Sequence, residues 1–330
     1  MNLKYLSFTD KGNLLAKKLA ETLGGESERC GEYHSLSEWT KENFYKAEGL
    51  VFVGAVGIAV RAIAPFLQNK GTDPAVVVVD EGGKFAIPVL SGHLGGANDL
   101  ARKICRVCGA VPVITTATDV NDVFAVDEWA KRQGCVVENI HKIKEVSGQL
   151  LRGKEVTVRS DWTVKGERPP HVVFSKEEQA DVCLSIRKQR NDGLHLIPRI
   201  AVLGIGCRKG TSMEKIEAAF RTLLQKTDIH EKAICLVASI DLKKEEQGLL
   251  EFCKAHDFPF CIYPAEELQQ AEGDFTPSAF VERVTGVDNV CERSAVLGGG
   301  LLYQKKMVGD GVTMALSLRL YQPDWRWKDE

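Results

Sequence analysis

Short, nearly unbroken apolar runs recur along the chain, and between them lie stretches whose apolar positions return every three or four residues. LVFVG (50–54), AVVVVD (75–80), FAIPVL (85–90) and AVPVIT (110–115) are of the first kind. Runs of that length and continuity predict strands covered on both faces. IAVRAIAPFL (58–67), ANDLARKICRVC (97–108) and DVFAVDEWAKRQ (122–133) are of the second kind and predict amphipathic helices. Upstream, LKYLSF and GNLLAKKLAETL add a first strand and helix.

The pattern weakens between 134 and 198, where VTVRS, HVVFS and ADVCLSI are short strand candidates separated by charged turns. RKQRNDGLHLIPR (187–199) reads as a hinge or linker. From Arg199 the alternation resumes: IAVLGIG, TSMEKIEAAFRTLLQ, AICLVAS, EQGLLEFCKAH and FPFCIYP read as strand, helix, strand, helix, strand. The expected fold is therefore α/β. N-terminal (1–133) and C-terminal (199–330) α/β domains with mostly parallel sheets are joined by a small middle α+β module (134–198). The tail YQPDWRWKDE is expected at the surface.

Charge narrows the function classes. Forty-three Lys and Arg against 45 Asp and Glu give a net charge of −2 over 330 residues, which offers no broad attraction for nucleic acid or an anionic membrane. No apolar stretch approaches the ~20 residues of a membrane span. MNLKYLSFTDKGNLL lacks the features of a signal peptide, so a cytoplasmic location is expected. The ten cysteines are scattered, mostly within apolar runs, as reduced, buried thiols would be. In CRVC, Cys105 and Cys108 fall on the apolar face of their helix, and no second pair gives zinc-like spacing.

Candidate chemistry gathers where strands give way to helices, the usual ligand edge of an open α/β sheet. GAVGIAVRA offers Gly54, Gly57 and Arg61. SGHLGGAND offers Ser91, Gly92, His93, Gly95, Gly96 and Asn98. Its glycines either make a tight turn around a satisfied histidine or keep the backbone open while His93 works as a proton carrier. In the second case the N–H groups of Gly95 and Gly96 become oxyanion donors. GIGCRKGTSMEK places Gly206, Arg208, Lys209 and Gly210 before a helix that a Thr211–Glu214 capping box would start. This is an anion site or a structural turn with solvated charges. TTATDVND adds Thr116 and Asp119, and VCERSAVLGGG adds Glu292, Arg293 and Ser294, which a solvated helix face explains almost as well.

Together GAVGIAVRAIAP, VVDEGGKFAIPVLSGHLGGANDLAR, PVITTATD, GIGCRKG, ERSAVLGGG and GDGVTMA resemble, in order, the cobalt-precorrin-5A hydrolase family, CbiG, of anaerobic cobalamin biosynthesis. The resemblance implies hydrolysis of a δ-lactone on a cobalt-containing corrinoid precursor, with loss of acetaldehyde. Cobalt arrives inside the substrate, so no cofactor and no protein metal site are expected. His93 is the foremost candidate base, with Asp80 and Glu81 of VVDEGGK competing. Arg61, Arg208, Lys209 and Arg293 suit the carboxylates of a tetrapyrrole. The partners implied are that tetrapyrrole and, transiently, neighbouring methyltransferases. The other readings are a non-catalytic tetrapyrrole carrier and, on the glycine loops alone, a nucleotide-binding α/β enzyme.

Overall fold

A computed structural model describes residues 2–69, 71–177, 179–189 and 191–328, so the last two residues of the tail lie outside the described residues. The chain forms two compact units, residues 1–128 with 147–154, and residues 129–146 with 155–330.

The first unit carries β1 (Leu3–Ser7), α1 (Asp10–Leu23), β2 (Glu26–Arg29), α2 (Leu36–Asn43), β3 (Gly49–Val53), α3 (Val56–Ile63), β4 (Ala75–Val79), β5 (Phe85–Leu90), α4 (Ala97–Cys108), β6 (Val111–Pro112) and α5 (Ala117–Val120). Its sheet runs β2-β1-β3-β4-β5-β6. Only the β4–β5 pair is antiparallel. Side chains alternate across the central strands. Tyr5, Val51, Val53 and Val77 pack with Leu19, Leu100 and Ile104 of α1 and α4. Leu6, Leu50, Phe52, Val76 and Val78 pack with Trp39 and Phe44 on the other face. Burial on both sides is why these strands read as unbroken apolar runs.

Next come α6 (Val126–Arg132), β7 (Cys135–Val137), α7 (Lys142–Leu151), β8 (Val156–Ser160), β9 (Val172–Phe174), β10 (Val182–Leu184) and β11 (Leu194–Pro198). The five strands form a sheet in the order β7-β11-β10-β8-β9 within the second unit. The segment expected as a linker carries β11. All five of its residues are buried, and it pairs with β10 on one side and β7 on the other. Its Gly, Asn and His suggested a loop, but His195 is satisfied inside by Glu138 at 3.0 Å and the Ser185 carbonyl at 3.1 Å.

The rest of the second unit comprises β12 (Ala201–Cys207), α8 (Met213–Thr227), β13 (Ile234–Ile240), α9 (Gln247–Ala255), β14 (Phe260–Tyr263), α10 (Ala265–Gln270), α11 (Ala279–Thr285), α12 (Cys291–Leu297), β15 (Leu301–Gly309) and β16 (Val312–Leu318). The sheet runs β14-β13-β12-β16-β15, parallel on the β12–β14 side and antiparallel from β12 to β15. Phe220, Leu223 and Phe252 of α8 and α9 cover one face with Leu203, Val237 and Leu316. On the other face α12 lies directly on β12, since a Cβ on Gly204 would fall 1.8 Å from the Cys291 carbonyl oxygen. Helix α8 begins one residue later than expected: its N-cap is Ser212, and the Thr211 hydroxyl instead donates to the Arg208 carbonyl at 2.7 Å.

Candidate active site

The SGHLGGAND loop folds back over the start of α4. Ser91 takes a left-handed backbone and anchors its hydroxyl to the Asp73 carbonyl at 2.8 Å. The amides of Gly96, Ala97 and Asn98 donate to the carbonyls of His93, Ser91 and Gly92. A Cβ on Gly95 would lie 2.3 Å from the Ser91 Cβ, and Gly96 has φ 87° ahead of the helix. The glycines thus permit a knot of backbone whose product is the position of His93. The Gly96 N–H, expected as an oxyanion donor, is engaged by the His93 carbonyl at 2.9 Å.

His93 reaches carboxylates on both ring edges. Its Nε2 is 2.9 Å from Asp119 on α5, and its Nδ1 is 3.1 Å from Asp127 at the start of α6. Glu128 lies 3.7 Å from Nε2. Asn98 donates to Thr116 at 3.1 Å and to Asp119 at 3.0 Å. Arg102 binds the other oxygen of Asp119 at 2.7 Å and also reaches Asp99 at 3.2 Å. Burial opposes a charge on His93, but the bonds to Asp119 and Asp127 outweigh it and push its pKa up to about 10. Burial is also the first influence on Asp119, and contacts with His93 and Arg102 reverse it to hold that carboxyl below its ordinary value. Glu128, mainly through burial, is pushed up to about 7. His93, Asp119 and Glu128 each offer one ligand atom, all within 4.8 Å of one another.

Of the residues expected from sequence, Ser91, Gly92, His93, Gly95, Gly96, Asn98, Thr116 and Asp119 come together here. Asp127, Glu128 and Arg102 were not anticipated. The two acids sit in the first turn of α6, where sequence reads them as partners of the helix dipole.

Asp80 and Glu81 lie elsewhere. Asp80 caps the β4–β5 turn, accepting from the amides of Gly82, Lys84 and Phe85, while Glu81 accepts from the Thr9 hydroxyl at 2.8 Å. Val79 pairs with Ala86 beside that turn, and Val76 with Leu90 at the far end of the hairpin. Because β5 runs against β4, the loop after β5 leaves the sheet at the edge opposite Asp80. Gly54, Gly57 and Arg61 follow β3, parallel to β4, and share the Asp80 edge. A Cβ on Gly57 would lie 3.5 Å from the Arg61 guanidinium. The glycine-rich junctions of this unit therefore lie at opposite ends of its strands.

In the second unit Gly206 belongs to β12, and the turn after it already holds a carboxylate. The Gly210 amide donates to Glu246 at 2.6 Å, and Lys243 pairs with the same side chain at 2.8 Å. Arg208 and Lys209 are exposed, with no acidic partner among the described residues. They border a cavity of about 850 Å³ lined by Ile240, Leu242, Phe280, Val284 and Val308, with Lys306 also at its wall. Glu292, Arg293 and Ser294 do not form a solvated face. Glu292 is 0% exposed and accepts from the Thr276 amide, the Thr276 hydroxyl and the Lys306 amide. Arg293 binds Asp288 and caps the carbonyls of Leu268, Gln269 and Ala271. Ser294 donates to the Ala238 carbonyl at 3.2 Å. These groups build the fold through those contacts. No helix among the described residues is long and apolar enough to cross a membrane.

Comparison with known proteins gives three family matches along the chain. Residues 38–119 match "Cobalamin synthesis G N-terminal", 124–198 the "Cobalamin biosynthesis central region" and 201–317 "Cobalamin synthesis G C-terminus". A cobalt-precorrin-5A hydrolase of Salmonella typhimurium is 34% identical over 94% of this chain and 95% of its own. Another, of Priestia megaterium, is 33% identical over 84% and 80%. A crystal structure of a cobalamin biosynthesis protein G homologue from Sulfolobus solfataricus aligns with TM-score 0.43 and 21% identity over 97% of both chains.

Proposed function

The chain belongs to the cobalamin synthesis G (CbiG) family, and from that premise we propose that it is a cobalt-precorrin-5A hydrolase whose hydrolytic centre is the His93 cluster. Water adds to the lactone carbonyl, and a carboxylate of the cluster, Glu128 beside the charged His93 ring, takes its proton. The acyl–oxygen bond breaks, leaving a carboxylic acid and an alkoxide on the two-carbon arm. That alkoxide closes to a carbonyl and departs as acetaldehyde. The electrons of the broken carbon–carbon bond pass into the conjugated macrocycle, which is reprotonated. The substrate thus serves as its own electron sink, as a cofactor would.

The observation that carries this reading is the ring of His93 held from both edges by carboxylates on separate elements. A carrier that only shields its cargo has no use for such a proton-handling group. The cavity of the second unit supports the substrate class. Its apolar lining suits a flat macrocycle, and Arg208, Lys209 and Lys306 suit peripheral acetates and propionates. Cobalt enters with the substrate. The same reading puts the protein in the cytoplasm, in passing contact with the methyltransferases on either side of it.

The test is anaerobic acetaldehyde release from the cobalt-containing lactone, wild type beside His93→Ala. Release by wild type alone supports both assignments. Equal release by the two keeps the hydrolase and moves the centre away from His93. Corrinoid binding without acetaldehyde from either leaves a carrier.

A further inference from the structure

We propose that His93, Asp119 and Glu128 form a site for one divalent transition-metal ion, an inference that rests on reading this cluster as the hydrolytic centre. The distances suit a common ion. Nε2 of His93 is 2.9 Å from Asp119 Oδ2 and 3.7 Å from Glu128 Oε1, and all three atoms lie within 4.8 Å of one another. Nitrogen and oxygen ligands held ~2.1 Å from one ion stand roughly 3–3.5 Å apart in neighbouring positions.

The surroundings are those of a ligand histidine. Asp127 accepts the Nδ1–H, and a cation bound at Nε2 would take the place of the proton that the charged ring now shares with Asp119, which gives the usual carboxylate–histidine–metal relay. Asp119 is itself oriented, by Arg102 on one oxygen and Asn98 on the other.

Glu128 supplies an independent reason. Its side chain is 7% exposed, it points at the imidazole, and neither carboxylate oxygen receives a hydrogen bond among the described residues. Its charged partner among the described residues is the His93 ring at 3.7 Å, a separation that leaves room for an ion bound by both groups. Asp119, Asp127 and Glu128 converge on one imidazole, and a divalent ion would replace the ring proton that now sits among them. One nitrogen and two carboxylate oxygens suit zinc, manganese or ferrous iron better than calcium or cuprous copper. Three protein ligands also leave a coordination position for water, which is what the hydrolysis requires.

The experiment uses the full chain, stripped with chelator and dialysed, then titrated calorimetrically with zinc and with manganese chloride and followed by thermal shift. The expected result is one ion per chain with a raised Tm, loss of that binding in Glu128→Gln, and affinity roughly 10–100-fold weaker in Asp127→Asn. Glu128→Gln keeps the shape of a side chain that no donor holds, so loss of binding there is not a failure to fold; circular dichroism checks this. An absence of binding in the wild type, or equal binding in Glu128→Gln, overturns the site. Full acetaldehyde release by the stripped protein overturns the metal and leaves the hydrolase standing. Stoichiometric binding without acetaldehyde does the reverse.

Discussion

Asp127 holds the Nδ1 edge of His93 at 3.1 Å from the far side of α5, across 34 residues of sequence. The pairing joins the loop after β5 to the first turn of α6 and settles which ring nitrogen faces Asp119. In Asp127→Asn the amide offers a donor where only an acceptor stood, so the ring can adopt the other tautomer. Acetaldehyde release should fall by about 10–100-fold, with a lowered Tm because the buried imidazolium loses one of its carboxylate partners. A rate within twofold of wild type would show that the ring needs no such anchor.

Glu292 should matter for stability and leave the chemistry alone. Its carboxylate accepts from the Thr276 amide at 2.6 Å, the Thr276 hydroxyl at 2.9 Å and the Lys306 amide at 2.6 Å. Alanine strands those donors in a buried pocket, at a cost of about 3 kcal/mol or more. Urea denaturation measures this, and KM of the folded protein should stay put. A raised KM with unchanged stability would instead make Glu292 a substrate ligand.

The contrast between Glu292 and His93 shows what the sequence holds. Apolar runs marked β1, β3, β4 and β5 of the first sheet, but not β2, whose ESER carries none, and the 110–115 run shrinks to the two exposed residues of β6; α4 matches its periodic segment at 97–108. The glycine-rich loop marked His93, and the strand–helix rule marked Thr116 and Asp119. Sequence could not show that β5 turns against β4, so both glycine junctions of the first unit appeared to share one edge. Nor could it show that Asp127 and Glu128 face inward, because an acidic first helical turn has the same sequence whether it meets solvent or an imidazole. β11 was hidden for a related reason: a buried histidine satisfied by Glu138 carries the signature of a loop. Glu292, Arg293 and Ser294 looked solvated because their partners lie up to 56 residues away.

Gly204 and Gly210 belong to one glycine-rich motif and should respond differently to alanine. At Gly204 a Cβ would meet the Cys291 carbonyl oxygen at 1.8 Å, so α12 must lift from β12, at about 3 kcal/mol. Gly210 has φ 74°, and a Cβ there would find no atom within 4 Å, so alanine meets only backbone strain of about 1 kcal/mol. Denaturant midpoints for the two variants should separate clearly. Equal losses would mean that α12 does not rest on Gly204.

Arg208 and Lys209 are exposed beside the cavity of the second unit. If they receive substrate carboxylates, Arg208→Glu with Lys209→Glu should raise KM about tenfold or more, the worth of one charge-assisted hydrogen bond. The value of kcat should be retained, since the two side chains are assigned to holding substrate carboxylates and carry no proton-transfer role. Added salt should narrow the gap between variant and wild type. An unchanged KM would return this turn to a structural role.

His256 gives the pH dependence its clearest sign. Its ring lies between Glu217 and Glu231, 2.7 Å from each, and Arg221 pairs with Glu217 at 2.7 Å. Burial alone would lower its pKa, but the two carboxylates outweigh burial and raise it above the ordinary 6.5. A histidine with a raised folded-state pKa binds its proton more tightly folded than unfolded. Its stabilising contribution is therefore complete below pH 6.5 and disappears as pH climbs through the higher folded value. His256→Gln keeps a neutral side chain of similar reach and removes the titration. The Tm difference between wild type and variant should be largest below pH 6.5 and shrink as pH rises above it. A difference constant across that range would mean that folding does not change the proton affinity of this ring.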